Sequence, residues 1–196
     1  MKCNSFNTVA AISSCFIASI LGLCFIYVGV DAAQGPSPIA ITGLSGSVYS
    51  PDRRYELFWK RNEFTEKHEI WVRSSVNTTD QALLYSYERS ADVLWSANST
   101  SVAITDHAGS NESHIRAFQI QSPTAFSEIK IVSQYIDAKY FINKDGSMIF
   151  GHHHAAVSRW SKDSRFLEVE LSAYDALDGS KRSLRKRVKI AIPLDQ

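Results

Sequence analysis

Beyond residue 24 the chain contains no cysteine, because Cys3, Cys15 and Cys24 all lie near the N-terminus. A product that has lost this region therefore forms no disulfide and carries out no thiol chemistry. An excess of one charge sign is also missing, since 21 Lys and Arg residues offset 20 Asp and Glu residues and the net charge is +1. No overall field favours nucleic acid as a partner. The sequence also lacks the Gly-x-Ser-x-Gly elbow of the serine hydrolases.

A long apolar segment, residues 9–30, follows Lys2, which is the only charged residue before it. Val30 and Ala32 supply the small or apolar side chains that a signal peptidase reads, so the pattern predicts cleavage after Ala32 or Ala33. The segment is also about as long as a transmembrane helix, and an uncleaved anchor is the alternative. Both alternatives predict an extracytoplasmic protein, periplasmic or secreted, in which only this segment would enter a membrane. The predicted parts are residues 1–32 as signal peptide or N-terminal membrane anchor, 33–43 as linker and 44–196 as one β-repeat domain.

A short motif occurs three times in the remaining chain. Each copy has an aromatic residue, Ser, any residue, Asp or Asn, and two mostly polar residues, at 49–54, 95–100 and 160–165. Short Ser, Asp and Asn side chains accept hydrogen bonds from nearby backbone N–H groups, so each copy predicts a tight turn between two strands. The strands predicted after these turns are residues 55–60, 101–105 and 166–171, followed by 69–73, 114–120 and 187–192. We expect the aromatic residues Tyr49, Trp95 and Trp160 in the core.

The motif resembles the Ser-Pro-Asp-Gly-Arg turn of the TolB-type and prolyl-oligopeptidase-type β-propeller repeats. Residues 50–54 match it best, with Arg53 at the position where those repeats carry glycine. The resemblance covers residues 44–121 and 155–193 and implies a mainly β fold of antiparallel, blade-like sheets. Closed propellers have at least four blades and this chain supplies three, so the resemblance implies a partial or irregular propeller. Two such chains that close one ring would form a homo-oligomer.

Residues 122–142 interrupt the repeat and predict one inserted helix. Ser122 and Thr124 are candidate N-caps around Pro123. The apolar residues that approximate one helical face are Phe126, Ile129, Val132, Ile136 and Tyr140. Ile residues at 129, 131 and 136 also permit a strand, which is the alternative for this segment.

Three consecutive histidines, His152, His153 and His154, form the most unusual cluster in the chain. In a strand, His152 and His154 would share a face and could hold one metal ion. The alternative is a polar start of the strand that leads to Trp160. We expect His153 at the surface, where replacement by alanine changes stability little.

A basic run near the C-terminus consists of Lys181, Arg182, Arg185, Lys186, Arg187 and Lys189. Such a run favours contact with anionic lipid headgroups, nucleic acid or an acidic protein. The alternative is a solvated hairpin whose charges protect an edge strand from aggregation. No RNA-binding aromatic motif accompanies the run.

Taken together, these patterns predict an exported, non-enzymatic binding module of the cell envelope with a protein partner, no nucleic acid and no cofactor. Loop residues make the contacts of such modules. The predicted binding residues are therefore Asp106 and His107, in a turn-rich segment at 106–113, and the basic residues Lys181, Arg182, Arg185, Lys186 and Arg187. The alternative function is a metal-dependent enzyme that uses His152 and His154.

Overall fold

The computed structural model describes residues 36–41, 43–175 and 183–193. The apolar segment 9–30 with its expected cleavage site, and the basic residues Lys181 and Arg182, lie outside the described residues. Across the described ranges, no helix has the length and apolar character needed to cross a membrane.

The described chain contains twelve β-strands, one short α-helix and one π-helical turn. The first five strands are β1 (Ile39–Ala40), β2 (Ser45–Tyr49), β3 (Tyr55–Arg61), β4 (His68–Ser74) and β5 (Gln81–Tyr87). The next four are β6 (Ser90–Trp95), β7 (Ser101–His107), β8 (Glu112–Ser122) and β9 (Ala125–Glu128). Helix α1 (Ile131–Ile136) and the π-helical turn (Asp137–Phe141) precede β10 (His152–Trp160), β11 (Phe166–Tyr174) and β12 (Ser183–Ala191).

The strands form three antiparallel groups that follow one another along the chain. The first sheet has the order β2-β3-β4-β5. The second has the order β6-β7-β8-β9, with β1 added beside β6, and the third has the order β10-β11-β12. Strand β10 also pairs in parallel with β8 over two residue pairs, which joins the second and third sheets at this point. The predicted fold class, mainly β with antiparallel sheets and one inserted helix, is confirmed.

Two apolar layers hold the three sheets together. In one layer Leu57 of the first sheet and Val102 of the second are both 0% exposed, and in the other Ala103 of the second and Val169 of the third are also 0% exposed. Each fully buried Leu or Val side chain contributes about 1.5–3 kcal/mol. Residues 101–106 of β7 are all buried. The central strands of the second sheet are therefore covered on both faces, whereas the first and third sheets each keep one outer face.

The three motif copies fold into the same turn, as predicted. In the first copy, Ser50 Oγ accepts a hydrogen bond from the Tyr55 N–H at 3.0 Å and donates one to the Asp52 carboxylate at 2.7 Å. That carboxylate also accepts from the Arg54 N–H at 3.0 Å. The corresponding bonds recur in the later copies, around Ser96 with Asn98 and around Ser161 with Asp163.

The residue after the Asp or Asn of each turn has a left-handed backbone, with φ values of 59° at Arg53, 63° at Ser99 and 59° at Ser164. This is the position where the similar propeller repeats carry glycine, which adopts such angles without strain. The two serines have a second role. Ser99 Oγ accepts from the Asp52 N–H at 3.0 Å, and Ser164 Oγ accepts from the Asn98 N–H at 3.1 Å. The three turns are therefore linked in series, each one hydrogen-bonded to the next.

The helix predicted over 122–142 is wrong in its first part. Pro123 and Thr124 form a tight turn, and residues Ala125–Glu128 return as β9 along β8. Phe126 therefore packs in the apolar layer of the first two sheets rather than on a helix. Ile136 is on the helix and buried, as expected. The tight turn accounts for the difference, because it lets the backbone of β9 pair with β8 before the helix begins.

The core position predicted for Tyr49 is also wrong, since this residue is 51% exposed. It ends β2, which is an edge strand of the first sheet and pairs with β3 alone among the described strands. Trp95 and Trp160 are 4% and 3% exposed, which confirms their predicted core positions. The Trp160 indole N–H also donates to the Leu94 carbonyl at 3.1 Å.

Candidate functional site

The histidine run lies on β10, where successive side chains alternate between the two faces. His152 stacks on Tyr174 with ring centroids 4.5 Å apart, and His154 is half-buried on the same face. His153 points the other way and is 6% exposed, so its expected surface position is wrong. Within the described ranges, no set of three metal-ligating side chains in mutual reach includes His152 or His154. Metal binding by that pair stays a prediction.

A different set of three ligands does come together, which we call the histidine–glutamate cluster: Glu112, His114 and His153. Glu112 and His114 are two residues apart on β8 and so share a face. His153 lies opposite Glu112 in the parallel register of β8 and β10. The His114 Nε2 atom is 3.5 Å from Glu112 Oε2, and the His153 Nε2 atom is 4.0 Å from the same oxygen.

The surroundings of the histidine–glutamate cluster are partly apolar and partly open. The ring of Phe141 lies 5.0 Å from that of His153, and burial, followed by the nearby charge of His114, lowers the pKa of His153. The side chains of His114 and Glu112 are 38% and 46% exposed. A cavity of about 20 Å³, lined in part by His114, Asp137 and Phe141, lies beside the cluster. That volume has room for about one water molecule.

The outer face of the third sheet is the second candidate surface. It carries four cationic side chains and two carboxylates in neighbouring rows of β10, β11 and β12: Arg159, Arg185, Arg187, Lys189, Glu168 and Glu170. Arg159 forms two hydrogen bonds to Glu168, at 2.8 and 3.1 Å, and these lower the pKa of that carboxyl. Arg187 pairs with Glu170. Arg185 makes no ion pair with any described residue, so the face carries an excess of positive charge.

A groove of about 500 Å³ runs along this outer face and is lined by residues that include His154, Glu170, Ser172, Arg185 and Arg187. It lies next to β12, the last strand of its sheet, which pairs with β11 alone among the described strands. The expected edge position of the basic run is therefore confirmed for residues 185–189. Lys186 faces the opposite side, with its ammonium group 5.3 Å from the centre of the Tyr140 ring.

The segment 106–113 is less of a loop than predicted. Asp106 lies within β7, is 7% exposed and accepts a hydrogen bond from the Tyr85 hydroxyl at 2.6 Å. Burial, reinforced by this bond, raises the pKa of Tyr85. His107 is partly exposed and lies 2.9 Å from an Asp92 carboxylate oxygen. The loop position expected for Asp106 is therefore wrong, and its contacts are internal.

The outer face of the first sheet has a different chemistry. Phe58 and Trp71 stack at 6.2 Å on this face. The Lys60 ammonium lies 4.5 Å from the Trp71 ring, and the Arg73 guanidinium lies 4.7 Å from the Phe58 ring. The aromatic rings are thus partly covered by cations of the same chain.

The sequence predicted a metal site on His152 and His154, whereas the three-ligand cluster in the structure includes His153, on the other face of β10. The local signal for Glu112 and His114 was present, because one residue separates them and side chains two positions apart in a strand share a face. The contact with His153 depends on the parallel pairing of β8 with β10, which no local pattern encodes.

Comparison with known proteins gives a loose similarity of fold. No family model matches the sequence, and no curated protein matches it. Among solved structures, TolB from Acinetobacter baumannii is similar over 78% of this chain and 31% of its own, with 14% identity and a TM-score of 0.41. The chain thus spans about a third of the TolB chain that it matches. The chemistry of the chain's own surfaces must therefore carry any functional conclusion.

Proposed function

We propose that the chain is an exported, non-enzymatic binding module that holds an acidic segment of a protein partner along the third sheet. The observation that carries the proposal is the chemistry of the outer face of that sheet, where four cationic side chains stand against two carboxylates. The partner segment would lie extended along β12 and place its carboxylates near Arg185, Arg187 and Lys189. Charge complementarity of this kind fixes the register of a partner and speeds its encounter.

The polarity of this outer face argues against a further sheet of the same chain in that place. The faces that do pack between sheets present side chains such as Leu57 and Val169, both 0% exposed. The outer face instead presents Glu170 and Arg187, whose side chains are 52% and 62% exposed. Burying such charges without new partners costs several kcal/mol per ion, on the order of the effective desolvation penalty. A partner with polar, acidic side chains meets this requirement.

Among the described strands β12 pairs only with β11, and its other edge adds a second means of attachment. An edge strand offers unpaired N–H and C=O groups to an extended peptide, and the main-chain hydrogen bonds then give affinity while side chains give specificity. The same basic side chains also protect an edge from unwanted pairing. The two roles differ in one measurable respect: only the binding role predicts a partner whose affinity depends on Arg185 and Arg187.

Export is proposed from the apolar segment 9–30 and the residues Val30 and Ala32 that follow it. N-terminal sequencing of the mature protein should find Ala33 or Gln34 at its start. Recovery of intact Met1 in the membrane fraction would instead establish the N-terminal anchor.

A ring closed by two copies, the expected homo-oligomer, gains no support from the turns. The next donor in the series would be the Asp163 N–H, and no hydroxyl of another turn accepts a hydrogen bond from it among the described residues. The first turn of a second copy would offer Arg53, whose side chain has no acceptor. Light scattering measures the oligomeric state, and a stable dimer would support a ring closed by two copies.

The binding proposal is tested with a fluorescently labelled poly-glutamate peptide and two charge-reversal pairs. The site variant is Arg185→Glu with Arg187→Glu. The control is Arg61→Glu with Arg89→Glu, which changes the net charge equally at exposed residues away from the third sheet. Each exposed ion pair is worth up to about 1 kcal/mol, so the site variant should bind roughly 10-fold more weakly than the control.

Circular dichroism and thermal unfolding establish that each variant is folded. Arg185→Glu alone keeps the Arg187–Glu170 pair and serves if the double variant fails to fold. An equal loss of peptide affinity in the site variant and the control variant would show an effect of net charge and refute the proposed site. Binding to anionic lipid vesicles or an oligonucleotide, without binding to the peptide, would likewise overturn the assignment of an acidic protein segment.

A further inference from the structure

We propose that Glu112, His114 and His153 bind a divalent transition-metal ion, with Zn²⁺ as the best match, and that this ion fastens the second sheet to the third. The site is separate from the surface proposed for the protein partner, because His153 faces away from the outer face that bears His154. It also differs from the pair His152 and His154, which lies on the opposite face of β10.

The separations within the histidine–glutamate cluster are close to those of a tetrahedral ion. Bonds of 2.0–2.1 Å to nitrogen and oxygen place two ligands about 3.4 Å apart. The His114 Nε2 and His153 Nε2 atoms lie 3.5 and 4.0 Å from Glu112 Oε2, and all three ligand atoms lie within 4.8 Å of one another. Glu112 and His114 are the partly exposed members, so their side chains can close the remaining distance while buried His153 stays fixed.

The donor set selects the type of metal. Two imidazoles and one carboxylate suit Zn²⁺ and its first-row neighbours, whereas Mg²⁺ and Ca²⁺ prefer oxygen alone. Three protein ligands leave a fourth position for water or another small ligand. The partial exposure of Glu112 and His114 leaves that position open to solvent.

The position of the cluster indicates its role. Glu112 and His114 belong to β8, and His153 belongs to β10. These strands connect the second and third sheets through only two residue pairs in register. An ion held by all three side chains would bridge this short junction, and a ligand that binds only the folded state stabilises it.

The competing explanation is a plain ion pair between Glu112 and protonated His114, with His153 as a buried neighbour. It accounts for the 3.5 Å contact of the first two residues. The Nδ1 atom of His153 is buried without a hydrogen-bond partner in the described protein under either explanation, because the proposed ligand atom is Nε2. The two explanations differ in whether a metal ion binds and in which substitutions remove it.

The test uses full-length protein without an affinity tag, titrated with Zn²⁺ by calorimetry and with Co²⁺ by visible absorption. Wild-type protein should bind one Zn²⁺ per chain, and its thermal midpoint should rise with Zn²⁺ concentration. Glu112→Gln and His114→Gln alter the partly exposed ligands and avoid a change in the core. Each should weaken binding by more than the roughly 10–100-fold that loss of an outer-shell partner costs.

His154→Gln is the matched control, since His154 follows His153 in sequence and lies on the opposite face of β10. It should leave Zn²⁺ affinity, the Co²⁺ spectrum and the thermal shift unchanged. The proposal is refuted if wild type binds no Zn²⁺, if Glu112→Gln and His114→Gln bind it as tightly as wild type, or if His154→Gln alone abolishes binding. The last result would return the site to His152 and His154.

Discussion

Replacement of Arg53 by glycine should stabilise the protein, whereas the same replacement at Ser99 should not. Both residues follow the Asp or Asn of a motif turn, with φ values of 59° and 63°. The Arg53 side chain is exposed and makes no contact that the turn needs, while the Ser99 hydroxyl accepts from the Asp52 N–H at 3.0 Å. The two sites therefore share the backbone strain and differ in the hydrogen bond between turns.

The magnitudes follow from these contacts. Relief of a left-handed angle in a residue with a side chain is worth about 1–2 kcal/mol. The greater conformational freedom of glycine in the unfolded chain lowers the free energy of unfolding by about 0.5–1 kcal/mol. The net effect of Arg53→Gly should therefore be an increase in the free energy of unfolding of about 0.5–1 kcal/mol. At Ser99 the loss of the acceptor leaves a partly buried N–H unpaired, which costs about 1–3 kcal/mol. Ser99→Gly should thus be less stable than Arg53→Gly by about 1–3 kcal/mol, and Ser164→Gly should behave like Ser99→Gly.

Urea unfolding followed by tryptophan fluorescence measures these differences. Ser99→Ala is the added control, since it removes the hydroxyl and keeps the strain, and it should be the least stable of the Ser99 variants. If Arg53→Gly proves destabilising, the argument from backbone strain at position 53 is wrong. If glycine has equal effects at positions 53 and 99, the hydrogen bond between the Asp52 N–H and Ser99 does not stabilise the protein.

Three further predictions concern stability. Trp160→Ala should cost about 3–5 kcal/mol in urea unfolding because a buried indole leaves a cavity, and a cost below that of a surface change would contradict its core position. A methyl group on Gly46 would overlap the Trp59 ring, so Gly46→Ala should lower the thermal midpoint by the equivalent of about 1–3 kcal/mol, and an unchanged midpoint would show that the ring can move. Burial works against ionisation of Asp52, but hydrogen bonds from the backbone and side chains outweigh it and lower its pKa to about 2. The resulting stabilisation is complete above its ordinary pKa of about 3.9 and is lost as pH falls toward 2. Asp52→Asn, which copies the residue at position 98, should therefore lose less stability than wild type in thermal scans between these pH values, and parallel curves would refute the assignment.

The features that the sequence predicts well are local. The bonds of each motif turn join residues at most five apart, so Ser50, Asp52 and their counterparts identify the turns without knowledge of the rest of the fold. Strand β12 was predictable for the same reason, because Val188 and Ile190 alternate with charged residues. Period-two alternation reports a half-buried strand directly.

The features that the sequence did not predict depend on which strands pair with one another. The helix expected from residue 122 gives way to β9 because that strand finds a partner in β8. Burial of His153 follows from its place opposite Glu112, across a parallel pairing of strands separated by the helix. Tyr49 is exposed because nothing pairs with the outer side of β2 among the described strands. In each case the local residue pattern does not determine which strand lies beside it.

The proposed binding surface is tested most directly by hydrogen–deuterium exchange of the backbone amides with and without the poly-glutamate peptide. Strand β12, Ser183–Ala191, is the edge that the peptide should cover, and β2, Ser45–Tyr49, is an edge strand of the first sheet and the internal control. Slower exchange in β12 and unchanged exchange in β2 is the predicted result. Protection of β2, or peptide binding with no protection of β12, would contradict the assignment of the third sheet as the site of the acidic partner.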